Sequence, residues 1–174
     1  MSQQNSKSAS IASNTRECLW ILIFFGIVFL ICRPSFMVKL RKNKQWEARE
    51  YISSLNKGQQ AYFAKKSVFS TYVKALGIGI KIETKNYNYS ILTTKTATFN
   101  YGVSKQKDLT SYVGGVFVIP ATQVNSNASK NKITTTSILC EADSPGTIKP
   151  AEPTYQNGKL VCGTGTIEVT KKSH

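Results

Sequence analysis

Cys18-Leu-Trp-Ile-Leu-Ile-Phe-Phe-Gly-Ile-Val-Phe-Leu-Ile-Cys32 carries no charge and no strong hydrogen-bonding side chain over fifteen residues. As an α-helix this run covers about 22 Å, short of the roughly 30 Å hydrocarbon core of a bilayer. Pro34, Phe36, Met37 and Val38 extend it to the length required if Arg33 snorkels to the interface. The run has no polar side, which a buried core helix would carry, and Cys32-Arg33-Pro34 is a poor signal-peptidase site. A retained, single-pass membrane anchor over residues 13–38 is expected.

On its amino-terminal side lies a polar leader, residues 1–12, rich in Ser and Gln and expected to be disordered. On its carboxyl-terminal side, residues 39–65 continue as a helix. Trp46, Ile52, Leu55, Tyr62 and Phe63 form one apolar stripe among lysines and arginines. A helix over 18–64 would thus sit half in lipid and half against something folded.

Beyond Leu76 the composition changes to β-branched residues, Tyr, Gly and Asn. Asn86–Ile91 alternates, with Tyr87, Tyr89 and Ile91 on one face, as a half-buried strand does. A second strand is expected at Ala97–Val103. Tyr112-Val-Gly-Gly-Val-Phe-Val-Ile119 is nearly continuous in apolar residues and reads as a central strand ended by Pro120. Asn125–Asn131 reads as a loop, Ile133–Cys140 as a strand, Asp143–Gly158 as a Pro/Gly loop, and Leu160–Val169 as a last short strand. The fold class expected is α+β: a long amino-terminal helix whose stripe covers a small antiparallel sheet in a head of residues 66–174.

The chain has 174 residues, a net charge of +14 and one histidine, His174, which is the last residue. That leaves no Ser-His or Cys-His couple and no histidine-based metal cluster. Glu141 and Asp143 fall short of the six to eight oxygens a calcium ion takes. Gly77-Ile-Gly79 and Gly163-Thr-Gly165 lack the continuation of a phosphate loop. No catalytic residue, metal or cofactor is expected.

Four features remain. Glu17 stands directly before the apolar run and needs a cationic partner, either Arg16 beside it or a cation on a neighbouring helix. Cys140 and Cys162 bracket the Pro/Gly loop and form either a disulfide or two unpaired buried thiols. A disulfide would put the head outside the reducing cytosol. The positive-inside count points the other way, because Arg33, Lys39, Arg41 and Lys42 follow the run and only Lys7 and Arg16 precede it. The basic excess itself suits anionic headgroups, or DNA or acidic polysaccharide.

A glutamate heading an apolar helix, Pro34 seventeen positions later, an amphipathic second half and a late cysteine pair resemble a type IV pilin or pseudopilin. The likeness is to the cyanobacterial pilin-like proteins of the general secretion pathway G/H kind. Glu47-Ala-Arg-Glu-Tyr-Ile-Ser-Ser-Leu-Asn-Lys-Gly-Gln-Gln-Ala-Tyr-Phe63 carries it best. Leu76–Ile80, Tyr112–Val118, Ser137–Glu141 and Ser144-Pro-Gly146 add to it. The resemblance implies a non-enzymatic subunit of a type IV pilus or type II secretion pseudopilus, anchored in the inner membrane with its head periplasmic or extracellular.

It further implies a prepilin peptidase that cuts between Ala12 and Ser13 and methylates the new amine, and a Glu17 that pairs with a neighbouring pilin's amino terminus. Pro34 would bend the helix, and Cys140 and Cys162 would close the carboxyl-terminal loop. The chain departs from the pattern at the cut: Ala12 stands for Gly, and Ser13-Asn-Thr-Arg16 is polar. Those departures keep an unprocessed, membrane-anchored pilin-like domain open as an alternative. A minor pilin that binds DNA or acidic polysaccharide through its basic surface is another.

Overall fold

The computed structural model describes the chain from Asn5 to Val169, with side chains described for residues 20–28 and from 36 onward. Two compact units divide it, residues 1–42 and 43–174.

The first unit is helical. Helix α1 runs Asn5–Lys66 and so covers the stretch read as helix, and it also reaches into the segment expected as a disordered leader. No Gly or Pro occurs before Gly26, and adding a turn to an existing helix costs far less than nucleating one. Within residues 20–28 every side chain is exposed, Trp20 at 70% and Phe24 at 67% among them. Among the described residues no helical segment is long and apolar enough to cross a membrane. The anchor expected at 13–38 lies partly outside the described residues.

The second unit packs the last part of α1 against a sheet. Strands β1 (Tyr87–Thr93), β2 (Ala97–Ser104), β3 (Tyr112–Pro120) and β4 (Ile133–Ala142) form an antiparallel meander. The short β7 (Thr166–Glu168) joins the outer edge of β4, giving the order β1-β2-β3-β4-β7. A separate hairpin pairs β5 (Thr154–Gln156) with β6 (Lys159–Val161). The expected central strand is indeed third of five, and both its faces are buried.

One sheet face receives the helix. Ala48, Ile52 and Leu55 meet Tyr87, Tyr89 and Tyr112, while Phe63 meets Phe69 and Val116. The helix contacts fall at 48, 52, 55, 56, 59 and 63, the spacing of one helical face. Trp46, expected in the stripe, is 60% exposed instead. It precedes Ala48 by two residues, so it lies about 200° round the helix from it.

The other sheet face is covered by the chain's last stretch. Phe99, Tyr101, Val113, Phe117 and Cys140 pack there against Tyr155, Leu160 and Cys162. The region expected to be one loop thus contains β5, and the single expected last strand is two, β6 and β7. The reason is local: Asn157 (φ 51°) and Gly158 (φ 78°) make a tight two-residue turn, and the Tyr155 ring packs on Phe117.

Candidate functional site

Beside its apolar contacts, the helix is coupled to the head by two buried polar side chains, Asn56 and Gln59. Asn56 donates from Nδ2 to the Ile138 carbonyl at 2.9 Å and accepts at Oδ1 from Asn100 Nδ2 at 2.8 Å. Gln59, fully buried, donates to the Ser70 carbonyl at 2.8 Å and accepts from the Ser70 amide at 2.9 Å. Helix interiors supply no backbone donors to neighbours, so side-chain amides do this work. An unmade bond here would cost about 1–3 kcal/mol. Gly114 provides the space: a β-carbon there would overlap the Asn56 amide. This fixes which turn of the helix sits over β3.

Cys140 and Cys162 are disulfide-bonded, with Cα atoms 5.8 Å apart. The bond ties the β5–β6 layer to β4 beneath it. Pro153, buried, fills the hollow that Gly115 leaves on the same face. Beside it the Tyr101 hydroxyl donates to Glu152 Oε1 at 2.6 Å, and the Lys149 ammonium sits 3.8 Å above the Tyr101 ring centre. Burial pushes the Tyr101 phenol well above its ordinary 10.0, with the Glu152 charge adding to it. Burial likewise raises Tyr87, Tyr89 and Tyr112.

A cleft of 270 Å³ under the Ser144-Pro-Gly146 loop is lined by Ser111, Asp143, Lys149 and Thr164 among others, with neither a nucleophile–base couple nor a pair of carboxylates. Among the described residues no group of three metal-ligating side chains occurs. On the surface, Lys105 approaches Glu83 at 2.5 Å and holds its carboxyl below the usual 4.5.

Of the residues singled out from sequence, the structure brings Cys140 and Cys162 together. Ala12, Ser13, Glu17 and Pro34 fall in α1, but their side chains lie outside the described residues. The Asn56, Gln59 and Gly114 device was not anticipated. Its signal in the sequence is the pair of amides on the face otherwise marked by Ile52, Leu55 and Phe63.

A profile of the type IV pilin-like G and H family matches residues 45–163, more than half of the chain. The chain belongs to that family. No curated protein and no solved structure matches it. The matched span begins where the helix meets the head and closes just past Cys162, so it encloses the helix–sheet seam and the stapled layer. The α+β fold agrees: a helix on a small antiparallel sheet. Pilin-like proteins are structural subunits rather than enzymes, and membership implies association with other pilins or pseudopilins of a pilus or secretion system.

Proposed function

We propose that this pilin-like protein is anchored in the inner membrane by residues 13–38 and assembles through lateral packing of those helices, its head standing outside the cytoplasm. One observation carries the reading. Trp20 to Val28 is apolar on every side of the helix, and every side chain in it is exposed. A surface of that kind in water is unfavourable by about 25 cal/mol per Å², so lipid or other helices must cover it. The Cys140–Cys162 bond supports a head outside the reducing cytosol.

In this scheme a prepilin peptidase cuts between Ala12 and Ser13, Glu17 pairs with a neighbour's new amine, and Pro34 bends the helix. Mass spectrometry of assembled material should find a chain starting at a methylated Ser13. A photo-crosslinking residue at Phe24 should yield adducts with other pilins. An intact amino terminus with pilin adducts would remove the processing step alone. The polar Ser13-Asn-Thr-Arg16 and Ala12 favour, as the rival, an unprocessed anchored domain. Crosslinks to lipid only would establish that rival and end the assembly reading.

A further inference from the structure

The head's charge is sorted along its length. Helix α1 ends at Lys65 and Lys66, where Phe63 packs with Phe69 and Val116. The same end of the sheet holds the β1–β2 turn with Lys95, since the Val118 amide donates to Thr96 and the Thr93 hydroxyl to the Ser70 carbonyl. The β3–β4 connection, with Lys130 and Lys132, closes there as well: the Ala121 amide donates to the Lys132 carbonyl. The β5–β6 turn arrives beside it, the Tyr155 hydroxyl bonding Gln123, which brings Lys159. All six lysines are exposed.

No carboxylate of the described residues lies at that end. Glu47 and Glu50 sit where α1 enters the head, and Asp108 lies in the β2–β3 connection. Glu83 pairs with Lys105, and Glu141 and Glu168 lie on the paired β4 and β7 near the far end of β4, with Asp143 just beyond. Glu152 is bonded to Tyr101. The acidic groups are thus intermixed with the remaining cations, while the helix-terminal pole is cationic alone.

We propose that this lysine pole is a docking surface for the phosphate backbone of double-stranded nucleic acid. Six like charges on four separate chain segments cost self-repulsion and serve no ion pair among the described residues. A polyanion removes that repulsion. The pole carries lysine and no arginine, so it offers point charges without the planar fork of bidentate recognition. Such a surface reads charge density rather than sequence. Duplex DNA, with about one charge per 1.7 Å, releases the most counterions to it, and a uronic-acid polymer has fewer charges per length. The intervening Asn125-Ser-Asn-Ala-Ser129 adds small polar donors of the kind that contact phosphate.

The test uses the full chain in uncharged detergent micelles and a fluorescent 30-base-pair duplex. Binding needs no assembly, so its failure and that of the subunit reading are separable. Four to six phosphate contacts predict a log–log salt slope of about −4 to −5. Lys95→Gln/Lys130→Gln/Lys132→Gln should flatten that slope by about 3 and weaken binding more than about tenfold at low salt. Lys81→Gln/Lys85→Gln/Lys107→Gln, with the same loss of charge, should change it less than about threefold.

On the unaltered protein, bound duplex should shield Lys95, Lys130 and Lys132 from acetylation while Lys81 and Lys107 stay reactive. Equal losses from the two triple variants, or uniform shielding, would overturn the pole. A uronic-acid polymer outcompeting the duplex at equal charge concentration would overturn the nucleic acid.

Discussion

Asn56 of the helix occupies the volume that a side chain on Gly114 of β3 would need, so the amide and the bare backbone form one fitted contact. The contact ties the 43–66 part of the helix to the sheet at one position. Its Nδ2 is spent on the Ile138 carbonyl and its Oδ1 on Asn100, so sliding the helix by one turn would break both bonds.

Gly114→Ala should therefore cost about 2–5 kcal/mol, from overlap plus the displaced amide bonds. Asn56→Ala alone should cost about 1–3 kcal/mol, since it strands the Asn100 amide. The double variant should be more stable than the sum of the two, because the smaller residue makes room for the methyl. Urea unfolding of all four proteins measures this; strict additivity would mean the two positions are not coupled.

Reduction of Cys140–Cys162, or Cys162→Ser, should lower stability by about 3 kcal/mol, given a sequence separation of 22 residues. The effect should appear first on the face that Tyr155, Leu160 and Pro153 cover. Amide hydrogen exchange should accelerate at 154–162 before it does at β2 and β3. Uniform acceleration would show that the layer is no separate unit.

Much of the head could be read from residue pattern alone. The Tyr87/Tyr89 alternation reads as a half-buried strand and the nearly continuous Tyr112–Ile119 run as a central one, and the sheet has both so, with β1 at its edge. Trp46 misled because its spacing only approximates the stripe: six residues before Ile52, it lies about 120° off that face and is exposed. The burial of Asn56 and Gln59 went unread, since their partners are the carbonyl of Ile138, 82 residues away, and the backbone of Ser70. No local pattern encodes a partner that far off. The rear layer was missed for a related reason: three-residue strands hold too few positions to show a period.

Gln59 offers a sharper test of the buried amides. Gln59→Ala leaves the Ser70 amide buried without an acceptor and should cost about 2–4 kcal/mol. Gln59→Glu keeps the acceptor but turns an ionised oxygen toward the Ser70 carbonyl. Burial and that carbonyl raise the new carboxyl above an exposed one, so the variant loses stability as pH rises from about 4 to 8. Chemical denaturation at both ends of that range checks it. Equal stability would mean the side chain has left the seam.

The tyrosines set the alkaline limit. Tyr87, Tyr89, Tyr101 and Tyr112 all have folded-state values raised above 10.0, chiefly by burial. The folded state therefore holds these protons more tightly than the unfolded chain does. Stability is complete below pH 10 and falls above it, by about 1.4 kcal/mol per pH unit for each tyrosine while the folded form stays protonated. Four together give a fall of about 5 kcal/mol per unit, enough to unfold a domain of ordinary stability within about two units. Phenolate absorbance at these four should rise in one cooperative step that coincides with loss of β-sheet circular dichroism. Tyr101→Phe removes one titrating group along with its bond to Glu152 and should make the fall shallower by one quarter. A gradual phenolate rise with the sheet signal intact would mean that hydroxide reaches these rings without unfolding the head.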